Sequence, residues 1–157
     1  MKTNDILYKV SKALSLSTEE IIDIYAQEGY EMSVSHLASL MKREVEDGFE
    51  PCSYELLGLF FDGLITFKRG PSPQKTTDDE AIPLSNNLIL KKLRIALELK
   101  EAEMEIVFGL GEASLSRQEL KSLFRKEDHK NFKVCPDALL MAFIEGIDEF
   151  YYSGKEI

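Results

Sequence analysis

The sequence predicts an all-α protein made of two tandem four-helix repeats, about eight helices, packed as a pseudo-symmetric pair. Three observations lead there. Apolar residues recur every three or four positions, and no segment sustains the period-two alternation of a strand. The chain also matches itself at a fixed offset of 83 residues. NDILYKVSKALSL, Asn4 to Leu16, falls on NLILKKLRIALEL, Asn87 to Leu99, and 20 of 64 positions from Asn4 to Phe67 are identical without a gap. Such a match marks a duplication. The first repeat takes residues 1–70 and the second 86–157. Between them, residues 71–85 carry prolines, small polar residues and a DDE run, the composition of an exposed linker.

Each helix has its own signal. In the first, Ile6, Leu7, Val10, Ala13 and Leu14 lie at helical spacing, with Asn4 and its counterpart Asn87 expected as N-caps. The second opens on Ser17 and Glu20, spaced as a capping box, and carries Ile21, Ile24 and Tyr25 on one face. Met104, Val107 and Phe108 repeat that face. The third starts at Ser33 or Ser116, the latter again in a capping box with Glu119. Its stripe is Leu37, Leu40 and Met41, matched by Leu120, Leu123 and Phe124. The fourth follows Cys52 or Cys135, and Pro136 suits its first turn, where a missing N–H costs nothing. Gly63 and Gly146 fall inside it. A glycine there is unfavourable by itself, so its presence in both copies predicts a close helix crossing, within a half or between halves.

Composition bounds the function. The chain has 157 residues and a net charge of −9. Strong acidity argues against broad affinity for nucleic acid or anionic membrane. Residues 86–157, with 11 basic and 13 acidic side chains, are the least unfavourable place for a polyanion. No apolar run approaches a bilayer span, and the N-terminus lacks a signal-peptide core. A cytoplasmic location is expected. Cys52 and Cys135 are too few for a disulfide framework and read as small buried hydrophobes.

Catalysis and metal binding find no constellation. Cys52, Cys135, His36 and His129 are far apart in sequence, and the histidines occupy non-equivalent places in the repeat. Neither cysteine has a neighbouring base. No phosphate-binding glycine loop is present. A non-enzymatic protein without a cofactor is expected.

The densest polar stretch is RKEDHKNF, Arg125 to Phe132. Its first-copy counterpart is KREVEDGF, Lys42 to Phe49. Gly48 and Asn131 tolerate the left-handed conformation that ends a helix. Lys42, Arg43, Arg125 and Lys126 would then lie in a last helical turn, facing the negative end of the dipole. What is peculiar to the second copy is Asp128, His129, Lys130 and Lys133. The order of helix two, turn and helix three loosely resembles phage-repressor-type helix-turn-helix domains, which lay the second helix in the major groove. Outward positions would be Ser35, His36, Ser39 and Arg43, or Arg117, Gln118, Lys121, Ser122 and Arg125. A basic face of Arg117, Lys121, Arg125 and Lys91 would favour DNA; interleaved acids would oppose it.

NNLILKKLRIALELK, LSRQELKSLFRKEDHKNF and the C-x-D-x-x-L-x-x-F-x-x-G run from Cys135 to Gly146 resemble the YehS-like family of small bacterial cytoplasmic proteins. NDIL and GLITFKRG carry the likeness into the first copy. The resemblance implies two tandem copies of a domain of unknown function in a bacterial cytoplasm, and neither a reaction nor a ligand. The expected role is regulatory or adaptor, with a protein as partner, and DNA binding as the alternative. The candidate surface is Arg117, Lys121, Arg125, Lys126, His129, Lys130 and Lys133.

Overall fold

The structure, a computed structural model, describes residues 2–71 and 84–155, with side chains as far as 151. Most of the expected linker, residues 72–83, lies outside them. Two compact units are present, Met1–Leu84 and Ser85–Ile157. The first contains α1 (Thr3–Ala13), α2 (Thr18–Gln27), α3 (Val34–Met41) and α4 (Tyr54–Arg69). The second contains α5 (Asn86–Leu97), α6 (Glu101–Leu110), α7 (Arg117–Leu123) and α8 (Asp137–Lys155). No strand occurs among the described residues.

The predicted starts of the second and third helices are realised. Ser17 and Glu20 exchange capping-box hydrogen bonds at α2, as do Ser116 and Glu119 at α7. Ser33 caps α3 and Ser53 caps α4. Lys100 has no oxygen to offer in Ser17's place, so only the return bond survives there, Lys100 N–H to Glu103 at 2.8 Å. Pro136 stands one residue before α8, and its carbonyl accepts the Leu140 N–H. Non-glycine residues take the left-handed conformation at Ser15, Glu98 and Glu112, with Gly29 matching Glu112 one repeat earlier.

Asn4 and Asn87 are not N-caps. Lys2 and Ser85 hold those positions, and each asparagine sits at the second helical residue with its side chain turned inward. The Asn4 amide donates to Leu40 O and Glu50 O, and its oxygen accepts the Cys52 N–H, all at 2.9 Å. Asn87 repeats this with Leu123 O, Lys133 O and Cys135 N, again at 2.9 Å. Neighbours complete the grip. Thr3 Oγ1 donates to Cys52 O at 2.5 Å, and Asn86 Nδ2 to Cys135 O at 3.0 Å. An asparagine side chain carries both acceptor and donors, so one residue satisfies three backbone groups, one at a helix end and two in the strap that follows, which have no ladder to pair in.

The glycines mark crossings inside each half. A Cβ on Gly63 would lie 2.0 Å from Ile24 O, and one on Gly146 would lie 1.9 Å from Val107 O. Thus α4 packs its backbone on α2, and α8 on α6. Around these crossings the apolar stripes close. Leu7, Ile24, Tyr25, Leu57, Phe60 and Leu64 are fully buried in the first unit, and Leu90, Val107, Phe108, Leu140 and Phe143 in the second. Tyr25 meets Phe60 at 6.1 Å between ring centroids, and Phe108 meets Phe143 at 4.9 Å. The Tyr25 hydroxyl donates to Leu56 O, and the second copy has Phe108 in its place.

Two predictions follow from this frame. Asn4→Ala or Asn87→Ala strands buried backbone groups and is expected to lower unfolding free energy by about 3 kcal/mol, read by urea titration. Gly63→Ala or Gly146→Ala forces the helices apart and is expected to cost about 1–3 kcal/mol. Wild-type melting in either glycine variant would show that the crossing tolerates a side chain.

Candidate partner surfaces after the third helix

The segments after α3 and α7 share one backbone frame. Both helices end earlier than the sequence implies, at Met41 and Leu123. Lys42 is already extended, with φ −74° and ψ 158°, so Lys42, Arg43, Arg125 and Lys126 lie outside the helices rather than in a last turn. Gly48 does take positive φ, +85°, but in the later turn of residues 46–49; Asn131 does not. In each copy two turns succeed one another, Glu46 N to Arg43 O and Phe49 N to Glu46 O, matched by His129 N to Lys126 O and Phe132 N to His129 O. Each segment then returns to its helix, through Glu50 N to Ser39 O and Lys133 N to Ser122 O.

On that shared frame the side chains differ. In the first copy Glu46 accepts the Arg43 N–H at 2.9 Å and its Nε–H at 3.3 Å. The backbone bond, with help from the guanidinium, holds its carboxyl below the usual range. In the second copy His129 takes the place of Glu46. Its Nδ1 accepts the Asn131 N–H at 2.9 Å, and its Nε2 lies 3.4 Å from Arg125 Nη1.

The first copy also opens a groove of about 380 Å³ between the start of α1 and the turn, with Asn4 in its lining. Its walls include Tyr8, Met41, Phe49 and the paired charges Lys2 with Glu44 and Arg43 with Glu46. Val45, between two lining residues, is 84% exposed and Tyr8 is 48% exposed. At the matching positions the second copy carries Asp128 and Lys91. Val34 and Tyr54, also exposed, are likewise replaced by Arg117 and Asp137.

Of the predicted cationic surface, the structure brings only Arg125 and His129 together. Arg117, at the start of α7, lies 3.4 Å from Glu105, and Lys133 lies 4.0 Å from Glu119. Lys121, Lys126 and Lys130 are exposed and make no ion pair among the described residues. The helix-turn-helix positions are only partly presented. Arg43 and Arg125 lie past the helix ends, and His36 is half-buried against Glu50 at 3.4 Å. Arg117, Gln118 and Lys121 remain exposed on α7.

The cysteines are buried, as expected. Burial pushes the Cys52 thiol up to about 12 and the Cys135 thiol up to about 11, with the Asp137 charge adding to the second. Both thiols are therefore protonated near neutrality and sheltered, the reverse of a nucleophile's setting. No group of three metal-ligating side chains occurs among the described residues, and no described helix is long and apolar enough to cross a membrane. Iodoacetamide is expected to label native protein at neutral pH far more slowly than urea-unfolded protein at both cysteines; equal rates would show open thiols.

The groove and the asparagine grip escaped sequence reasoning. The grip had a signal. Asn4/Asn87 and Cys52/Cys135 are identities at the 83-residue offset, where a cap or a buried hydrophobe alone would accept other residue types. The groove had a fainter one, the apolar-to-charged exchange at Tyr8/Lys91 and Val45/Asp128.

Comparison with known proteins agrees with the duplication. A family model described as Protein of unknown function (DUF1456) matches twice, over residues 3–70 and 86–151. The chain is 33% identical over 147 residues to "Uncharacterized protein YehS" of Escherichia coli (strain K12), covering 94% of each chain. No solved structure matches. With nearly all of the described chain inside these matches, the protein belongs to the DUF1456 family and carries two copies of its domain.

Proposed function

We propose that the protein is a non-enzymatic regulatory or adaptor protein of the bacterial cytoplasm, and that the first-copy groove receives an apolar side chain of a partner protein. The observation that carries this reading is the groove itself, with Met41 and Phe49 in its walls and Tyr8 and Val45 exposed beside it. Exposed apolar residues scattered singly need no explanation, but a cluster around a concavity marks an interaction site. The charges that line it balance, three basic against three acidic, and four of them form the pairs Lys2 with Glu44 and Arg43 with Glu46. They leave little net field for an ion and suit an apolar anchor, whose burial contributes about 25 cal/mol per Å². The second copy, with charged residues at the same places, acts as the natural control.

The alternative, DNA binding through α7, is favoured by the exposed Arg117 and Lys121 and by Lys126 and Lys130 in the turn. Glu105 and Glu119 oppose it, because each already faces one of the cations a phosphate would need. Anisotropy of a labelled duplex at low salt tests it directly, since phosphate contacts must weaken steeply with salt.

The groove is tested with Tyr8→Lys/Val45→Asp, which installs the second copy's own residues and should fold normally by thermal melt. A photo-crosslinker at position 45 of the otherwise native chain identifies the partner, and the same probe at position 128 is the comparison. Expected are a discrete adduct from position 45 only, and at least about thirtyfold weaker binding of that partner by the double variant, as for loss of a hot-spot anchor. Lys126→Ala/Lys130→Ala should bind it normally. Equal adducts from both positions, or unchanged affinity in the double variant, would overturn the proposal.

A further inference from the structure

We infer that the turn Arg125 to Phe132 is a binding site for a single carboxylate, gripped between Arg125 Nη1 and His129 Nε2. The inference starts from a tautomer. Asn131 donates its backbone N–H to His129 Nδ1 at 2.9 Å, so Nδ1 presents a lone pair. In a neutral imidazole the other nitrogen then carries the hydrogen. His129 Nε2 is thus a donor, and a guanidinium has only donors to offer. With that tautomer, the 3.4 Å between Arg125 Nη1 and His129 Nε2 separates two donors. Arg125 Nε is buried and has no hydrogen-bond partner among the described residues. Two converging donors suit an anionic oxygen. An oxygen placed about 2.8–3.0 Å from both nitrogens closes a triangle on that 3.4 Å base and gives two charge-assisted or neutral hydrogen bonds of normal length.

The first copy shows what chemistry completes such a turn. At the position of His129 it has Glu46, whose carboxylate accepts from Arg43 through both backbone N–H and Nε–H. The cation it holds is one residue further along, but the logic is the same: an arginine of the turn faced by a carboxylate. The second copy exchanges that carboxylate for a donor and so leaves the place to an outside one. A more highly charged ligand fits less well. Glu127 and Asp128 flank the site, both exposed, and the chain carries a net charge of −9. A monoanion feels this repulsion less than a phosphate dianion or a nucleic-acid strand. This site lies in the second unit and stands independently of the first-unit groove.

The test uses the full chain and NMR signals of the His129 imidazole and the Asn131 amide. Sodium acetate is titrated against chloride at fixed ionic strength, with inorganic phosphate as a separate arm. Wild type is expected to show a saturable acetate-dependent shift at both groups. Arg125→Gln should weaken it about tenfold, the loss of one charge-assisted bond. His129→Glu removes the imidazole donor and, by the first copy's geometry, lets a carboxylate accept the Lys126 N–H. It should lose the acetate response at the Asn131 amide and melt above wild type in chloride alone. This variant keeps the test decisive if Arg125→Gln, altering a half-buried side chain, fails to fold. Absence of an acetate shift in wild type, or its persistence in His129→Glu, would overturn the site. A response to phosphate but not acetate would overturn the carboxylate assignment.

Discussion

Each half depends on one asparagine side chain. Asn4 and Asn87 reach from the first turn of a helix to the end of the third helix and to the strap that enters the fourth. All the backbone groups they satisfy would otherwise be stranded, because a helix end and an irregular strap have no regular partners. Two of these bonds fall on either side of the variable turn, at Leu40 O and Glu50 O or at Leu123 O and Lys133 O. The turn is therefore closed at its base by a side chain outside it. Its middle can change sequence without disturbing the core, and there Val45 and Glu46 of the first copy become Asp128 and His129 in the second.

Differences next to the turn come in compensating sets. The pair His36 and Glu50 in the first half becomes Glu119 and Lys133 in the second, so the acidic member moves from the strap to the helix. Changing only one member would set two acids face to face, or a histidine against a lysine. A second set lies at the helix end. Arg94 lies 4.8 Å over the Phe124 ring, a contact worth about 0.5–1 kcal/mol at an exposed site. The first half has Ser11 and Met41 at those positions, and there Ser11 Oγ is buried with no partner among the described residues and Met41 lines the open groove. The groove thus accompanies a lost cation–aromatic cover.

The helices and their faces were legible because they follow from local rules. Serine caps, three-to-four spacing and the 83-residue offset each act within a short window or across identical windows. Both fourth-helix glycines announced a close crossing, but which helix they meet is a long-range fact, and the offset alone left it open. The asparagines misled for the same reason. Near a helix start the local rule says cap, while the actual partners lie 36 to 48 residues away. Within RKEDHKNF the residue types were legible as a polar cluster. That Arg125 faces His129 donor to donor depends on the imidazole tautomer, fixed by a backbone N–H two residues on, and charge counting cannot see it.

The placement of the two fixed points also bears on mechanism. The grip holds the fourth helix at its entrance, Cys52 or Cys135, and the glycine crossing holds it eleven residues later, about 16 Å along a helix at 1.5 Å per residue. Between them lie fully buried side chains, Leu57 and Phe60 in one unit, Leu140 and Phe143 in the other. A helix held at its entrance and at mid-length over a packed core is a poor lever, because a switch needs an element with two arrangements. The turns lie outside this held region, tied only at their base. A ligand arriving there would meet a preformed frame and change little behind it, the behaviour of a surface for recognition rather than of a lever. That expectation agrees with an adaptor reading, and it explains how one duplicated scaffold can present an apolar groove in one copy and a donor-lined niche in the other.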